Sequence, residues 1–249
     1  MAKYDLVADV SSHNPDSLEF FRKLAKLGVK AVIVKLTEGS NPGSAYFNPK
    51  AMRQVQHTAA CGMRVHAYHF SQFLDDADAI LEALWFIEKA KQLNLGRDSV
   101  MAVDCESSAL PFNITSSANA FLSTVKSAGY PQTDVYTATS WFWEGRINPD
   151  QLIAKNLWVA SYGVSQPGVD NVGTWQFTDN FCGLHVDMSY DFSGHYTGKQ
   201  APPEEYVVQP GDSWWLIAYN HNLDMNALAA LNGQTIYDTI HPGQKIKVR

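Results

Sequence analysis

From residue 6 to residue 136 short apolar runs alternate with amphipathic stretches, and this alternation leaves few folds open to the chain. Residues 6–10, 31–34, 65–70, 100–103 and 135–136 read as strands. Between them Asp16 and Glu19 form a capping box for a helix whose apolar positions Phe20, Phe21, Leu24 and Leu27 end at Gly28. Asn48 and Pro49 open a second helix that stops near Gly62. A third runs through Ile80, Leu84 and Ile87. A fourth starts at Thr115, turns Phe121, Leu122 and Val125 inward and ends at Gly129. Strand–helix repeats of this kind build a parallel sheet.

After residue 136 the pattern changes. Residues 157–160 and 174–177 look like strands, and Gly163, Pro167 and Gly168 leave no room for a helix between them. His185, Val186 and Asp187 make a final strand. Roughly eight strands in so short a stretch suggest a compact α/β barrel that has lost its last helices. A doubly wound open sheet is the alternative.

A boundary follows at residues 197–205, where Gly198, Pro202 and Pro203 mark a short stiffened linker. It divides an expected barrel at residues 1–196 from a tail at 206–249. In the tail a strand at 206–209 leads through Pro210-Gly211 into helices at about 213–220 and 224–231. Asn232-Gly233 closes the second, and Pro242-Gly243 turns into a strand at 245–248. This is a β-α-α-β unit, small enough to need tight packing.

Asp104-Cys105-Glu106 ends the strand at 100–103. Residues two apart on a strand share a face, so both carboxylates, about 6.6 Å apart by strand rise, line one cavity wall. Like charges held that close in a partly desolvated pocket push one pKa upward. A glycosidase needs such an arrangement, one carboxyl protonated as acid beside another kept ionised. Asp9, Glu38 and Asp187 also follow or end expected strands. Barrel active sites are built at those C-terminal ends, which makes five acids at equivalent places more than a scatter of surface charge.

A formal net charge of −6 argues against nucleic acid and against attraction to an anionic membrane. Seven Trp and eleven Tyr suit either a large core or a sugar-stacking cleft. Cys61, Cys105 and Cys182 are too few and too scattered for a disulfide framework and read as small buried hydrophobes. Cys105 is out of phase with its acidic neighbours and should face away from the cavity. His66 and His69 have a spacing that chelates zinc on a helix, but on a strand they face opposite sides, so no metal and no cofactor is expected. The sequence has no Gly-x-Ser-x-Gly elbow and no phosphate-binding glycine loop. Met1 to Asp5 enter a strand directly, without an apolar leader, and no stretch approaches a membrane span.

The tail resembles a LysM domain, the module that binds N-acetylglucosamine-containing glycans. The likeness is carried by Tyr206-Val207-Val208-Gln209-Pro210-Gly211-Asp212-Ser213, Trp215, Ile217-Ala218, Leu231-Asn232 and Ile240-His241-Pro242-Gly243-Gln244. Trp214 stands where Leu is usual. The resemblance implies a shallow sugar groove between Gly211, Asp212, Ser213 and Trp214 on one side and residues 232–240 on the other. At least one of Trp214 and Trp215 is expected in the core.

The larger part resembles the family-25 glycoside hydrolases, muramidases common among phage endolysins and bacterial autolysins. Four segments carry it: Ala8-Asp9-Val10-Ser11-Ser12-His13, Lys35-Leu36-Thr37-Glu38-Gly39, Val103-Asp104-Cys105-Glu106 and Val186-Asp187-Met188-Ser189-Tyr190. Ala67-Tyr68-His69-Phe70, Val135-Tyr136-Thr137 and Thr174-Trp175-Gln176 add weaker support. Cys105 replaces the usual aliphatic residue, and Ser189 stands where Asn is common. The likeness implies an irregular barrel of five strand–helix repeats followed by three bare strands. It also implies hydrolysis of the β-1,4 bond from N-acetylmuramic acid to N-acetylglucosamine in peptidoglycan.

In that scheme Glu106 is general acid and base. Asp104 is either a direct nucleophile or the residue that holds the substrate's 2-acetamido group while that group attacks; the resemblance favours the second. Asp9 and Asp187 orient the pair and stabilise positive charge. Glu38, Tyr68, Tyr136 and Trp175 are candidate subsite walls, and Trp158 is better read as packing. The other readings are a chitinase-like enzyme or N-acetylglucosaminidase, and a non-catalytic wall-binding protein. A monomer is expected, made in a host cytoplasm without a signal peptide and acting on the bacterial wall after release.

Overall fold

A computed structural model describes residues 4–40, 43–154, 156–198, 205–221, 223 and 225–248. Most of the expected linker, residues 199–204, and the expected helix start Asp224 lie outside the described residues.

The larger unit is a closed barrel. In chain order it holds β1 (Asp5–Val10), α1 (Leu18–Lys26), β2 (Val29–Glu38), β3 (Tyr46–Phe47), α2 (Ala51–Ala60), β4 (Arg64–Phe70) and α3 (Asp76–Gln92). Then follow β5 (Met101–Asp104), α4 (Thr115–Ser127), β6 (Thr133–Ala138), the short α5 (Thr139–Trp143), β7 (Asn156–Ala160), β8 (Thr174–Thr178) and β9 (Asp187–Asp191). The ring runs β1-β9-β8-β7-β6-β5-β4-β2 and closes because β1 also pairs with β2; β3 hangs outside on β2. The open doubly wound sheet is thereby excluded.

The expected last strand needs a correction. The last strand is Asp187–Asp191 and not 185–187, and it runs antiparallel to both β8 and β1. The physical reason is connection length. Residues 161–173 are long enough to carry the chain back for the parallel β8 without a helix, whereas residues 179–186 allow only a tight reversal.

Side chains alternate across the barrel wall. Val7, Ile33, Tyr68, Ala102, Tyr136 and Trp158 point inward and fill the lumen. Ala8, Val32, Val34, Val103 and Val135 point outward and pack under the helices. Where helices are missing, the loop residues Val169 and Val172 cover Leu157 and Val159 instead. The floor is closed by Tyr196, whose hydroxyl donates to Asp134 Oδ2 at 2.7 Å. Its carbonyl accepts from His66 Nε2 at 2.7 Å, and Val100 N donates to His66 Nδ1 at 2.9 Å. His66 is therefore the neutral Nε2–H tautomer, and burial takes its pKa down to about 3.

Helix α1 is capped one residue later than expected: Ser17, not Asp16, accepts from Phe20 N, and Leu27 is exposed. Helix α3 also turns differently. Ile87 is buried, but Ile80 and Leu84 are exposed, and the inward face is Ala79, Glu82, Ala83, Phe86 and Ala90. Small residues bring this helix close to the sheet, and the buried Glu82 is satisfied by His69 Nε2 at 2.8 Å and by Gln72 N. His69 faces this outer layer while His66 faces the lumen, so the two rings do not converge.

The tail forms a separate small core. Strands β10 (Glu205–Val207) and β11 (Lys245–Lys247) pair antiparallel, joined through α6 (Trp214–His221) and α7 (Met225–Leu231). Val208, Trp214, Ile217, Leu228, Ile246 and Val248 fill it. The three cysteines are free, but only Cys105 is buried; Cys61 is half-buried and Cys182 is exposed on a turn. No helix among the described residues is long and apolar enough to cross a membrane.

Candidate active site

The barrel brings the expected acids to one rim. Asp9 lies near the end of β1 and Asp104 ends β5, with Glu106 two residues further along the exit loop. Asp187 reaches the same rim by the opposite route: it begins β9, and because β9 runs antiparallel its N-terminus lies beside the C-terminal ends of the other strands. Tyr68 and Tyr136 line the lumen beneath.

All four carboxyls are held above their ordinary values, and burial is the first cause in each. For Asp9 the Asp187 charge adds to it and a hydrogen bond from Gln176 opposes it. For Asp187 the hydrogen bond from Asp9 opposes the rise. Asp104 is pushed further up by Glu106 and drawn down by Lys35. Glu106 opens to water at the mouth, yet the surrounding protein weakens its hydration; Asp187 adds to the rise, and Lys35 and a hydrogen bond from Tyr136 oppose it. Burial and the same acids push the Tyr68 and Tyr136 hydroxyls up, so both phenols are neutral donors. The Cys105 thiol, turned to the outer core and raised by burial, is inert.

One carboxylate oxygen stands out. Asp104 Oδ1 is buried and accepts no hydrogen bond from the described residues. A buried acceptor in that condition is costly unless a ligand supplies the donor. Glu38 sits further out, where Lys35 Nζ reaches its Oε2 at 2.8 Å and Gln72 Nε2 donates to its Oε1. Lys35 also lies over the Phe70 ring, 4.4 Å from the centroid, which holds a positive charge beside the acid cluster.

Trp175 is a correction. It is only 8% exposed and faces the outer cluster with Val169, Val172 and Phe192, its indole donating to Ser161 O at 2.8 Å. Its neighbour Gln176 points inward instead, so Trp175 cannot wall the mouth. Gln176 Nε2 donates to Asp9 Oδ2 at 2.9 Å, while its Oε1 accepts from Tyr136 at 2.9 Å and from Tyr162 at 2.5 Å. Gln176, Tyr162 and Lys35 are the members of the site that sequence reasoning missed. Period-two alternation on β8 carried the signal, since Trp175 and Gln176 cannot both face the lumen. Trp158 packs inside, its indole on Ser189 Oγ at 3.0 Å. A cleft of about 610 Å³ on the barrel's flank, walled by Trp143, Asp150 and Asn171, contains none of these acids.

In the tail the structure divides the expected groove. Gly211 takes a left-handed φ of +91° in the turn. Asp212 Oδ2 accepts from Gln209 N and Tyr206 OH, and Ser213 Oγ accepts from Leu216 N at the start of α6. These three shape the loop. Trp214 is a second correction: it is 5% exposed in the module core, its indole donating to Asp238 O at 2.8 Å. The exposed aromatics are Trp215 at 60% and Tyr219 at 59%, stacked on each other, and Tyr237 at 90%.

A family model described as glycosyl hydrolases family 25 matches residues 8–183, and a LysM domain model matches residues 206–249. A curated putative hydrolase from Streptococcus mutans serotype c is 38% identical over 50 residues, 20% of this chain but only 24% of that protein's length. Among solved structures, the CTP1L endolysin aligns over 92% of this chain and 80% of its own, with 24% identity and a TM-score of 0.65. A muramidase from Trichobolus zukalii aligns over 78% of this chain and all (100%) of its own, with 20% identity and a TM-score of 0.62. The modular autolysin LytC from Streptococcus pneumoniae, solved with a synthetic peptidoglycan ligand, aligns over 74% of this chain and 46% of its own, with 23% identity and a TM-score of 0.64. At such identities the likeness to these three is one of fold. The family model, however, runs through more than half of the sequence and takes in Asp9, Asp104 and Glu106, and on that ground the chain belongs to family 25 of the glycosyl hydrolases.

Proposed function

We propose that this protein hydrolyses the β-1,4 bond between N-acetylmuramic acid and N-acetylglucosamine in peptidoglycan, in the manner of an endolysin. The observation that carries this reading is the convergence of four carboxyls, each held toward its protonated form, at one mouth. Glu106, the most open to solvent, gives its proton to the leaving-group oxygen and later takes one from water. Asp104 Oδ1, buried without a partner, is suited to accept the N–H of the 2-acetamido group and so aim that group's oxygen at the anomeric carbon. Asp9 and Asp187 lie across the cup and stabilise the positive charge that develops on the ring. The peptidoglycan ligand of LytC, a protein of similar fold, supports the substrate class.

The tail, matched by the LysM model, would hold the enzyme on the same polymer and raise the local concentration of cleavable bonds. We place the division between catalytic and binding units at residues 197–205.

Glu106→Gln should abolish turnover while wall binding persists, and undiminished lysis by that variant would remove Glu106 from the mechanism. Mass spectrometry of the new reducing ends identifies the bond. Muramic acid ends support the assignment, whereas glucosamine ends would make the enzyme a glucosaminidase. Substrate carrying de-N-acetylated muramic acid should resist cleavage, and equal rates on both substrates would turn Asp104 into a direct nucleophile.

A further inference from the structure

Gln176 is 1% exposed and sits between the acid pair and two phenols. Its amide orientation is set by Asp9, whose Oδ2 takes the Nε2 hydrogen at 2.9 Å; the flipped amide would set oxygen against oxygen. The carbonyl end is thus committed to Tyr136 and Tyr162. A carbonyl oxygen has two lone pairs and serves both hydroxyls at once.

Tyr136, however, has two acceptors for one hydrogen, since its hydroxyl is also the donor whose hydrogen bond draws the Glu106 carboxyl down. When Glu106 is protonated, its O–H donates to the Tyr136 oxygen and the Tyr136 hydrogen goes to Gln176. When Glu106 is ionised, the Tyr136 hydrogen turns to the carboxylate, and Gln176 Oε1 keeps the hydrogen of Tyr162. In both states the Tyr136 hydrogen has an acceptor and Gln176 Oε1 has a donor.

The geometry points to Gln176 as a positioning residue that accepts the Tyr136 hydrogen whenever Glu106 is protonated, with Tyr162 holding the vacated bond, so that Glu106 alternates between acid and base at little cost. This rests on the reading of Glu106 as general acid and base. A buried hydroxyl or carbonyl left unpaired in either state would bias that equilibrium, because orphaned polar groups are expensive in a low-dielectric site. The other charged and titratable groups acting on Glu106 and Tyr136 are Asp9 from β1, Lys35 from β2, Tyr68 from β4, Asp104 from β5 and Asp187 from the start of β9, with Glu38 acting on Asp104 and Asp179 on Asp187. Neutral substitutions at 176 and 162 leave all of these in place.

The test is the alkaline limb of kcat/KM on soluble peptidoglycan fragments, which reports loss of the general acid. In Gln176→Leu the Tyr136 hydrogen has only Glu106 to go to, which favours the carboxylate. The limb should move to lower pH by about one unit, with kcat down about tenfold and KM little changed, as expected for one hydrogen bond. In Tyr162→Phe the ionised state leaves Gln176 Oε1 short of a donor, so the limb should move the other way, to higher pH. Tyr162 is partly exposed, so this variant folds even where removal of the buried amide does not. Opposite shifts support the proposal. A Tyr162→Phe limb that stays put, or moves in the same direction as that of Gln176→Leu, overturns it. Should Glu106→Gln remain active, the functional reading itself falls; if that variant is dead and the limbs do not move, only the role of Gln176 falls.

Discussion

Asp9 and Asp187 are direct partners in the antiparallel register of β1 and β9, so their carboxyls leave the sheet side by side on the lumen face of the same rim. Two carboxylates so placed cannot both ionise readily, and they share a proton. Asp9, the more deeply buried, is pushed well above its ordinary value and donates to Asp187, which carries the charge. Asn at position 9 preserves a donor, whereas Asn at position 187 removes the charge. Asp9→Asn should therefore keep turnover within about tenfold of the native rate, while Asp187→Asn loses about a hundredfold or more. Steady-state rates on soluble fragments check this, and the reverse ranking would put the proton on Asp187.

Asp104 should trade stability for function. Burial raises its carboxyl in the folded chain above the unfolded value. Its contribution is therefore complete in acid, below the ordinary carboxylate range, and is lost as pH rises through the folded-state value. At neutral pH Asp104→Asn removes that strain, and the fold should gain about 1–2 kcal/mol, or ~2–8 °C in Tm. The gain should vanish in acid, and activity should be lost. Equal gains at both pH values would mean that shape, not charge, is responsible.

Glu82 accepts from His69 Nε2 and Gln72 N in the outer core, and Gln72 in turn holds Glu38 at the rim. Glu82→Ala leaves both donors unpaired and should cost about 2–4 kcal/mol. A urea midpoint that barely moves would show that water replaces the carboxylate there.

The two adjacent tryptophans of the tail should separate cleanly. Trp214→Ala opens the module core and should cost about 3–5 kcal/mol, unfolding a unit this small. Trp215→Ala leaves the core intact and should weaken pull-down by insoluble peptidoglycan several-fold, with amide dispersion in NMR spectra unchanged. Loss of dispersion in Trp215→Ala would make that residue structural as well.

The local pattern determined a good part of this protein. β-branched runs, caps and glycines marked the strands and helices, and acids recurring at strand ends pointed to Asp9, Asp104, Glu106 and Asp187 because period-two geometry is a property of the chain itself. Tertiary structure decided the rest. The direction of β9 depends on how far residues 179–186 can reach, and only that reversal sets Asp187 against Asp9. Whether Trp175 or Gln176 turns inward, and whether Trp214 or Trp215 is buried, depends on which face meets the neighbouring strand or helix. Glu82 is buried because His69 near the end of β4 and Gln72 in the loop that follows supply its partners. Hydrogen-bond satisfaction is settled between segments, and no single segment carries that information.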